Sequence, residues 1–122
     1  MMARLLEPGE WGRVEGSGLS TLLPFVAPQN IAIVGVEDRG DLAASVAALQ
    51  VTHFEGLWID PKHRGNAGVF RSLIRQAYAI PRARGEKWAL GGAADGDSKM
   101  AGVCSRLGRE LPLKFYALPV GD

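Results

Sequence analysis

The sequence predicts an α+β fold: a mostly antiparallel central sheet with flanking helices, and a strand–glycine loop–helix unit at its centre. Three observations carry that prediction. Ile31 to Val36 is an apolar run rich in β-branched residues, and the polar Glu37-Asp38-Arg39-Gly40 turn sends the chain back as a hairpin. A second apolar run ends at Trp58-Ile59, passes a Pro61 turn, and enters a helix through a short glycine-containing loop. Val69 to Tyr78 then repeats Phe70, Leu73, Ile74 and Ala77 at three- and four-residue spacing, with Arg71, Arg75 and Gln76 facing away.

Taken in order, residues 1–30 hold two short stretches of weak helical character. One runs from Glu10 to Gly16 and is broken at Gly12; the other, Leu19 to Val26, is closed by Pro24 and Pro28. Ile31 to Val36 is the first strand, and Leu42 to Val51 returns beside it. Its alanines and Ser45 also suit a helix over 41–50, and the hairpin context favours the strand. His53 to Ile59 is the third strand. The helix that follows is expected to kink or end at Pro81, where the missing N–H and the ring oppose a further turn. Arg82 and Arg84 suit its negative end, and Gly85 suits its terminus. Trp88 to Leu90 is a short strand before Gly91-Gly92. Asp97 or Ser98 can cap a second helix, striped by Met100, Val103, Cys104 and Leu107 and stopped by Gly108. Leu111 to Val120 is expected as a closing edge strand, since Pro112 and Pro119 exclude a central one. Hairpin strands followed by crossover helices complete the α+β layout. No repeat or linker interrupts the chain, and residues 1–122 are expected to form a single domain.

Composition narrows the function. At 122 residues, with 47% hydrophobic and 22% charged residues, the chain has the make-up of an ordinary globular domain. A formal net charge of +1 argues against nucleic acid or an anionic membrane held mainly by charge. The basic residues nonetheless cluster: Lys62, His63, Arg64, Arg71, Arg75, Arg82, Arg84 and Lys87 fall in one third of the sequence. Such a cluster suits a polyanionic small molecule, or equally the solvated face of a helix. One cysteine, Cys104, excludes an internal disulfide, and with two histidines it leaves no usual structural zinc set. Glu7, Pro8 and Glu10 interrupt any signal-peptide pattern, and no apolar run nears membrane-spanning length. A cytoplasmic protein without a metal is expected.

The stretch Trp58-Ile59-Asp60-Pro61-Lys62-His63-Arg64-Gly65-Asn66-Ala67-Gly68-Val69-Phe70 holds the clearest chemistry. A strand, a glycine loop and a helix in that order turn backbone N–H groups and the positive end of a helix dipole toward an anion. The loop has neither the Gly-Lys-Ser/Thr of a P-loop nor the Gly-x-Gly-x-x-Gly of a dinucleotide fold. It resembles the pyrophosphate loop of the GNAT superfamily, the acyl-CoA-dependent N-acyltransferases, in Ile59, Pro61, Arg64 and Gly65. It departs in Ala67 and Val69, which stand where later glycines belong, although Gly68 can serve if one residue is inserted. Asp97 to Gly108 resembles that family's second signature through Leu107 and Gly108. There Asp97 replaces the Asn that contacts the cofactor arm, Cys104 the Tyr that protonates the departing thiolate, and Arg109 the Phe. Together the two motifs cover roughly residues 53–110.

The resemblance implies acetyl-CoA or CoA as co-substrate, held by Trp58, Ile59, His63, Arg64, Gly65, Asn66, Ala67, Gly68, Val69 and Asp97. It implies Glu55 and Cys104 as catalytic candidates, and an amine acceptor on a small molecule or a protein. Glu55 lies in Phe-Glu-Gly-Leu-Trp-Ile-Asp-Pro, on the same side of an extended strand as Leu57 and Ile59, where a carboxylate could bind a cationic amine or take its proton through water. Its plainer role is a strand Glu paired with a neighbouring Arg. Backbone N–H groups at residues 58–59 would polarise the thioester carbonyl. Cys104 could protonate a thiolate, yet it lies on an apolar stripe where free cysteines are ordinarily core residues. Arg64 can contact phosphate or brace the loop; His63 suits an exposed loop position, and His53 has no partner visible in the sequence. Trp58 and Trp88 either line the slot for the pantetheine arm or fill it. Three readings therefore stand: an acyl-CoA-dependent N-acyltransferase, a catalytically inactive GNAT-fold binding or assembly protein (a homo-oligomer among its states), and a phosphate-ligand binder using the same loop. Fold alone does not choose among them.

Overall fold

The computed structural model describes residues 2–121, and the chain falls into two units, Met1–Leu90 and Gly91–Asp122. The first unit is built on a three-stranded antiparallel sheet in the order β1 (Ala3–Leu5), β2 (Ile31–Asp38), β3 (Asp41–Leu49). The expected hairpin is present, with Ile31 opposite Leu49 and Val34 opposite Val46. Its two-residue turn has both Arg39 and Gly40 at positive φ, 54° and 87°, the geometry that matches the right-handed twist of the paired strands. A register shift between Val36 and Glu37 leaves Ala43 as an extra residue on β3. Leu42 to Leu49 is strand rather than helix because every residue here except Ala43 pairs along β2, which outweighs the weak strand preference of alanine. The short β1 was not legible: three residues carry no alternation to read.

Residues 8–30 wind into four short 3₁₀ segments, Pro8–Val14, Gly18–Thr21, Leu23–Phe25 and Pro28–Asn30, where two weak helices were expected. Gly or Pro recurs too often there for an α-helix to propagate, and single turns closed by i→i+3 bonds are what remains. These turns cover one face of the sheet. Leu6, Val14 and Ile33 form the buried centre, with Trp11, Leu19, Leu23, Ile31, Leu42 and Ala47 packed around them. Gly35 makes that closure possible, since a Cβ there would lie 2.8 Å from Leu42 Cδ1 and 3.0 Å from Leu6 Cδ2. An ion-pair network ties the layers at their rim: Arg4 bridges Glu10 and Glu37, and Arg13 sits 3.8 Å from Glu10 and 3.7 Å from Glu37.

The third expected strand shrinks to β4 (His53–Phe54), because Gly56 adopts φ +71° and turns the chain out of the strand path. β4 pairs with β5 (Leu90–Gly91), one or two residues later than the strand expected at 88–90, and Leu90 N–H donates to the Thr52 carbonyl at 2.9 Å. Between them runs α1 (Ala67–Ala83), which does not stop at Pro81. Pro81 lies in the last turn, so its missing N–H costs one bond, and its carbonyl accepts from Arg84 N–H and Glu86 N–H at 3.0 Å each. Gly85 follows at φ +74°.

In the second unit α2 (Ser98–Leu107) carries the expected cap, with Asp97 Oδ1 accepting from Met100 N–H at 3.0 Å. The closing strand expected over Leu111 to Val120 is not formed. Leu113 N–H turns back onto the Leu111 carbonyl at 2.8 Å, and Pro112 and Pro119 have no N–H to offer a ladder.

Candidate functional site

The loop between β4 and α1 is a chain of small, self-bracing turns. Asp60 opens a 3₁₀ turn, Pro61–His63, and its Oδ1 accepts from Lys62 N–H at 2.9 Å. His63 N–H closes that turn onto the Asp60 carbonyl at 2.8 Å. Arg64 Nε then donates to the Ile59 carbonyl at 3.1 Å, drawing the end of the loop back to its start. Gly65 takes φ +88°, the conformation only glycine adopts freely. Asn66 caps α1, its Oδ1 accepting from Gly68 N–H at 3.0 Å.

Three consequences bear on anion binding. Among the described residues, the N–H groups of Gly65 and Ala67 take no hydrogen-bond partner, and both stand at the positive end of a 17-residue helix. Arg64 braces the loop through Nε alone, so its two terminal nitrogens are available to a phosphate oxygen; the two roles the sequence left open are compatible. Ala67 and Val69, the departures from a glycine-rich pattern, lie inside the helix, and the positive φ of this loop falls on Gly65. Their side chains therefore strain no backbone angle. Lys62, His63, Arg64 and Asn66 are all exposed.

Upstream, His53 Nε2 lies 2.8 Å from Glu55 Oε1, an ion pair when the ring is protonated, with both side chains more than half exposed. The neighbour of Glu55 is thus a histidine rather than the arginine of its plainer role, and it is the partner that the sequence did not show for His53. The signal was there: residues two apart on an extended segment share a face. The opposite face of β4 fixes the helix, Phe54 stacking on Tyr78 at 6.0 Å with Arg82 5.7 Å above the Tyr78 ring. Beyond Gly56 the chain has no strand partner, and the N–H groups of Trp58 and Ile59 take no partner among the described residues.

The two tryptophans differ. Trp58 is 67% exposed on the loop, while Trp88 meets Phe25 edge-on at 4.9 Å. Behind them the buried Glu86 accepts from the Thr52 hydroxyl and from Asn30 Nδ2, while Arg84 Nη1 donates to Thr52 Oγ1. That clamp joins the end of α1 to the starts of β2 and β4. In the second unit Asp97 serves as a helix cap, and Cys104 is half-buried on the apolar stripe of α2.

The structure thus gathers Glu55, Trp58, Ile59, His63, Arg64, Gly65, Asn66, Ala67, Gly68 and Val69 along one continuous segment of the first unit. Asp97 and Cys104 lie on one helix of the second. Two hollows, of about 340 and 270 Å³, lie apart from the loop: one against Val14, Leu42 and Ala43, the other against Trp11, Leu23 and Pro24. Among the described residues no cluster of His, Cys, Asp or Glu could hold a metal ion, and no helix is long and apolar enough to cross a membrane.

The mixed α+β class with an antiparallel sheet is what these elements define. No family model matches the chain, and no curated protein matches it. Among solved structures it is similar to the ribosomal-protein-alanine N-acetyltransferase of Brucella melitensis biovar Abortus 2308, at 12% identity and TM-score 0.45 over 98% of this chain and 99% of that one. It is also similar to the apo aminoglycoside antibiotic 6'-N-acetyltransferase AAC(6')-IG of Acinetobacter haemolyticus, at 17% identity and TM-score 0.47 over 100% of both chains. At TM-scores below 0.5 neither likeness carries weight in assigning chemistry, which rests on residues 53–69.

Proposed function

We propose that the chain is an acyl-CoA-dependent N-acyltransferase of the GNAT type, taking its acyl group from acetyl-CoA and passing it to an amine of a small molecule or a protein. The observation that carries this reading is the loop from Pro61 to Val69. It offers one left-handed glycine, two N–H groups without a partner among the described residues at the start of a long helix, and the terminal nitrogens of Arg64. A pyrophosphate fits that donor set, being dianionic and needing several N–H donors rather than a deep pocket. Asn66 already occupies Gly68 N–H, so Gly65 and Ala67 are the first backbone donors a phosphate would meet.

The co-substrate supplies the activated acyl group; the chain supplies proton handling and positioning. His53 and Glu55 form the proton-handling pair. An ammonium acceptor must lose a proton before it attacks; in this reading the His53 ring takes it, and the Glu55 carboxylate 2.8 Å from Nε2 stabilises the imidazolium that results. Trp58 and Ile59 N–H groups, free of strand partners, are the donors that would polarise an acyl carbonyl. The exposure of Glu55 leaves room for a cationic acceptor.

Calorimetric titration with acetyl-CoA tests the reading. Saturable binding is expected, weakened about 10-fold or more in Arg64→Ala, and Glu55→Gln is expected to keep binding while losing turnover by about 10² or more. Absence of binding at millimolar ligand would sink the enzyme reading. Binding with unchanged turnover in Glu55→Gln would remove the pair from the mechanism.

A further inference from the structure

We infer that β3 is a self-association edge, pairing antiparallel with β3 of a second copy of this chain about a two-fold axis at Val46. The argument begins with hydrogen-bond direction. Gln50 N–H donates to the Asn30 carbonyl at 3.0 Å, and these two residues continue the register in which Ile31 faces Leu49. In an antiparallel pair, hydrogen-bonded and non-hydrogen-bonded positions alternate. Ala48, Val46 and Ala44 therefore bond to β2. Ser45 and Ala47, opposite Gly35 and Ile33, turn their N–H and C=O groups the other way. The inner side of the sheet agrees: the Ile33 carbonyl accepts from Leu6 N–H at 2.8 Å, so Ile33 faces β1 and not β3.

Nothing in the chain's own strands answers those outward groups. β2 is the one strand partner of β3 among the described residues, and Ala43, Ala44, Ser45 and Val46 are all exposed. Edge strands are ordinarily guarded by lysine, proline, inward charge or a bulge. From Ala44 to Leu49 this one has no such guard, and the extra residue at Ala43 marks where its flat stretch begins.

The occupant that fits is another copy. Read outward from Val46, the strand is nearly symmetric in side-chain size: Ser45 and Ala47, then Ala44 and Ala48. With Val46 opposite Val46, Ser45 of each copy faces Ala47 of the other with both sets of backbone groups aligned, as an isologous contact requires. Val46, 67% exposed in one chain, then meets its equivalent at a non-hydrogen-bonded position, where Cβ atoms come within about 4.5–5.5 Å. Asp41, the sole charged residue of β3, falls outside the paired stretch, so no like charges oppose each other. None of this depends on whether the loop at Pro61–Val69 binds acyl-CoA.

Light scattering on the full chain, with site-directed cross-linking, tests it. The expected mass is twice 13.0 kDa at micromolar concentration. Ser45→Pro removes one outward N–H and no bond to β2, and is expected to give a monomer with an unchanged circular dichroism spectrum. In a Cys104→Ser background, Val46→Cys is expected to link copy to copy on mild oxidation. Ala44→Cys alone is expected not to link, but to link when mixed with Ala48→Cys. A monomeric native chain would overturn the proposal, as would a dimer that survives Ser45→Pro and fails to link through position 46.

Discussion

Arg4 and Glu37 set a pH dependence that can be read from one contact. The Arg4 side-chain hydrogen bond, more than any other influence, holds the Glu37 carboxyl below its ordinary value, with Arg13 adding a smaller pull. Arg4 is raised by its hydrogen bonds to Glu10 first and Glu37 second, and stays charged across any working pH. A carboxylate whose folded pKa is depressed contributes stability above its unfolded pKa and loses it as pH falls through the folded one. The contact ties β1 and the first 3₁₀ segment to the hairpin, so acid should loosen the N-terminal layer. We expect the thermal midpoint of the native chain to fall below about pH 4, and that fall to be shallower in Glu37→Gln, which starts lower at neutral pH. Parallel melting curves from pH 7 to pH 3 in the two chains would show that Glu37 is not the titrating group.

At the scale of elements, the least replaceable contact is the one between segments rather than within them. Glu86 is 8% exposed, and its carboxylate receives the Thr52 hydroxyl and the Asn30 amide, which fastens α1 to β4 and β2. Glu86→Ala strands both donors and leaves a void, so it is expected to cost about 2–4 kcal/mol in urea unfolding, with unchanged m. A loss below about 1 kcal/mol would mean that water replaces the carboxylate without penalty. No pattern in Gly85-Glu86-Lys87 announced this role, because it depends on where Asn30 and Thr52 arrive in space. What the sequence does announce is local. The Arg39-Gly40 hairpin, the Asp97 cap and the stripe from Phe70 to Ala77 each follow from residues within one or two turns of each other. The errors were local too, and turned on single residues. The third strand stopped at Phe54 because Gly56 turned left-handed. The helix passed Pro81 because a proline near a C-terminus loses only one bond. Of the candidate site, the loop and Glu55 stood out by motif, whereas His53 required asking what else shares its face.

For the molecule as a whole, exposure of large apolar side chains is uneven, and it marks where the chain is open to attack. Phe115 and Tyr116 are 72% and 79% exposed in a segment without helix or strand, and Trp58 stands 67% exposed on the loop. Other aromatics of the first unit are engaged: Phe25 with Trp88, Phe54 with Tyr78, and Trp11 against the core. A protease specific for aromatic residues reads local opening, and cleaves first where backbone is unpaired and side chains protrude. Brief chymotrypsin digestion is therefore expected to cut after Phe115 or Tyr116 and after Trp58, and to spare Phe54 and Phe25. The Trp58 cut also reports on the loop, since the N–H groups of residues 58 and 59 and the carbonyl braced by Arg64 would all be covered by an acyl-CoA lying along it. Saturating CoA should slow that cut severalfold in the native chain and leave it unchanged in Arg64→Ala, with thermal unfolding of the two unliganded chains compared to exclude a general loss of stability. Equal protection in both chains would place the ligand elsewhere on the molecule. No protection in either would leave Trp58 as an exposed loop residue with nothing to shield, and would take the acyl-CoA reading of this loop with it.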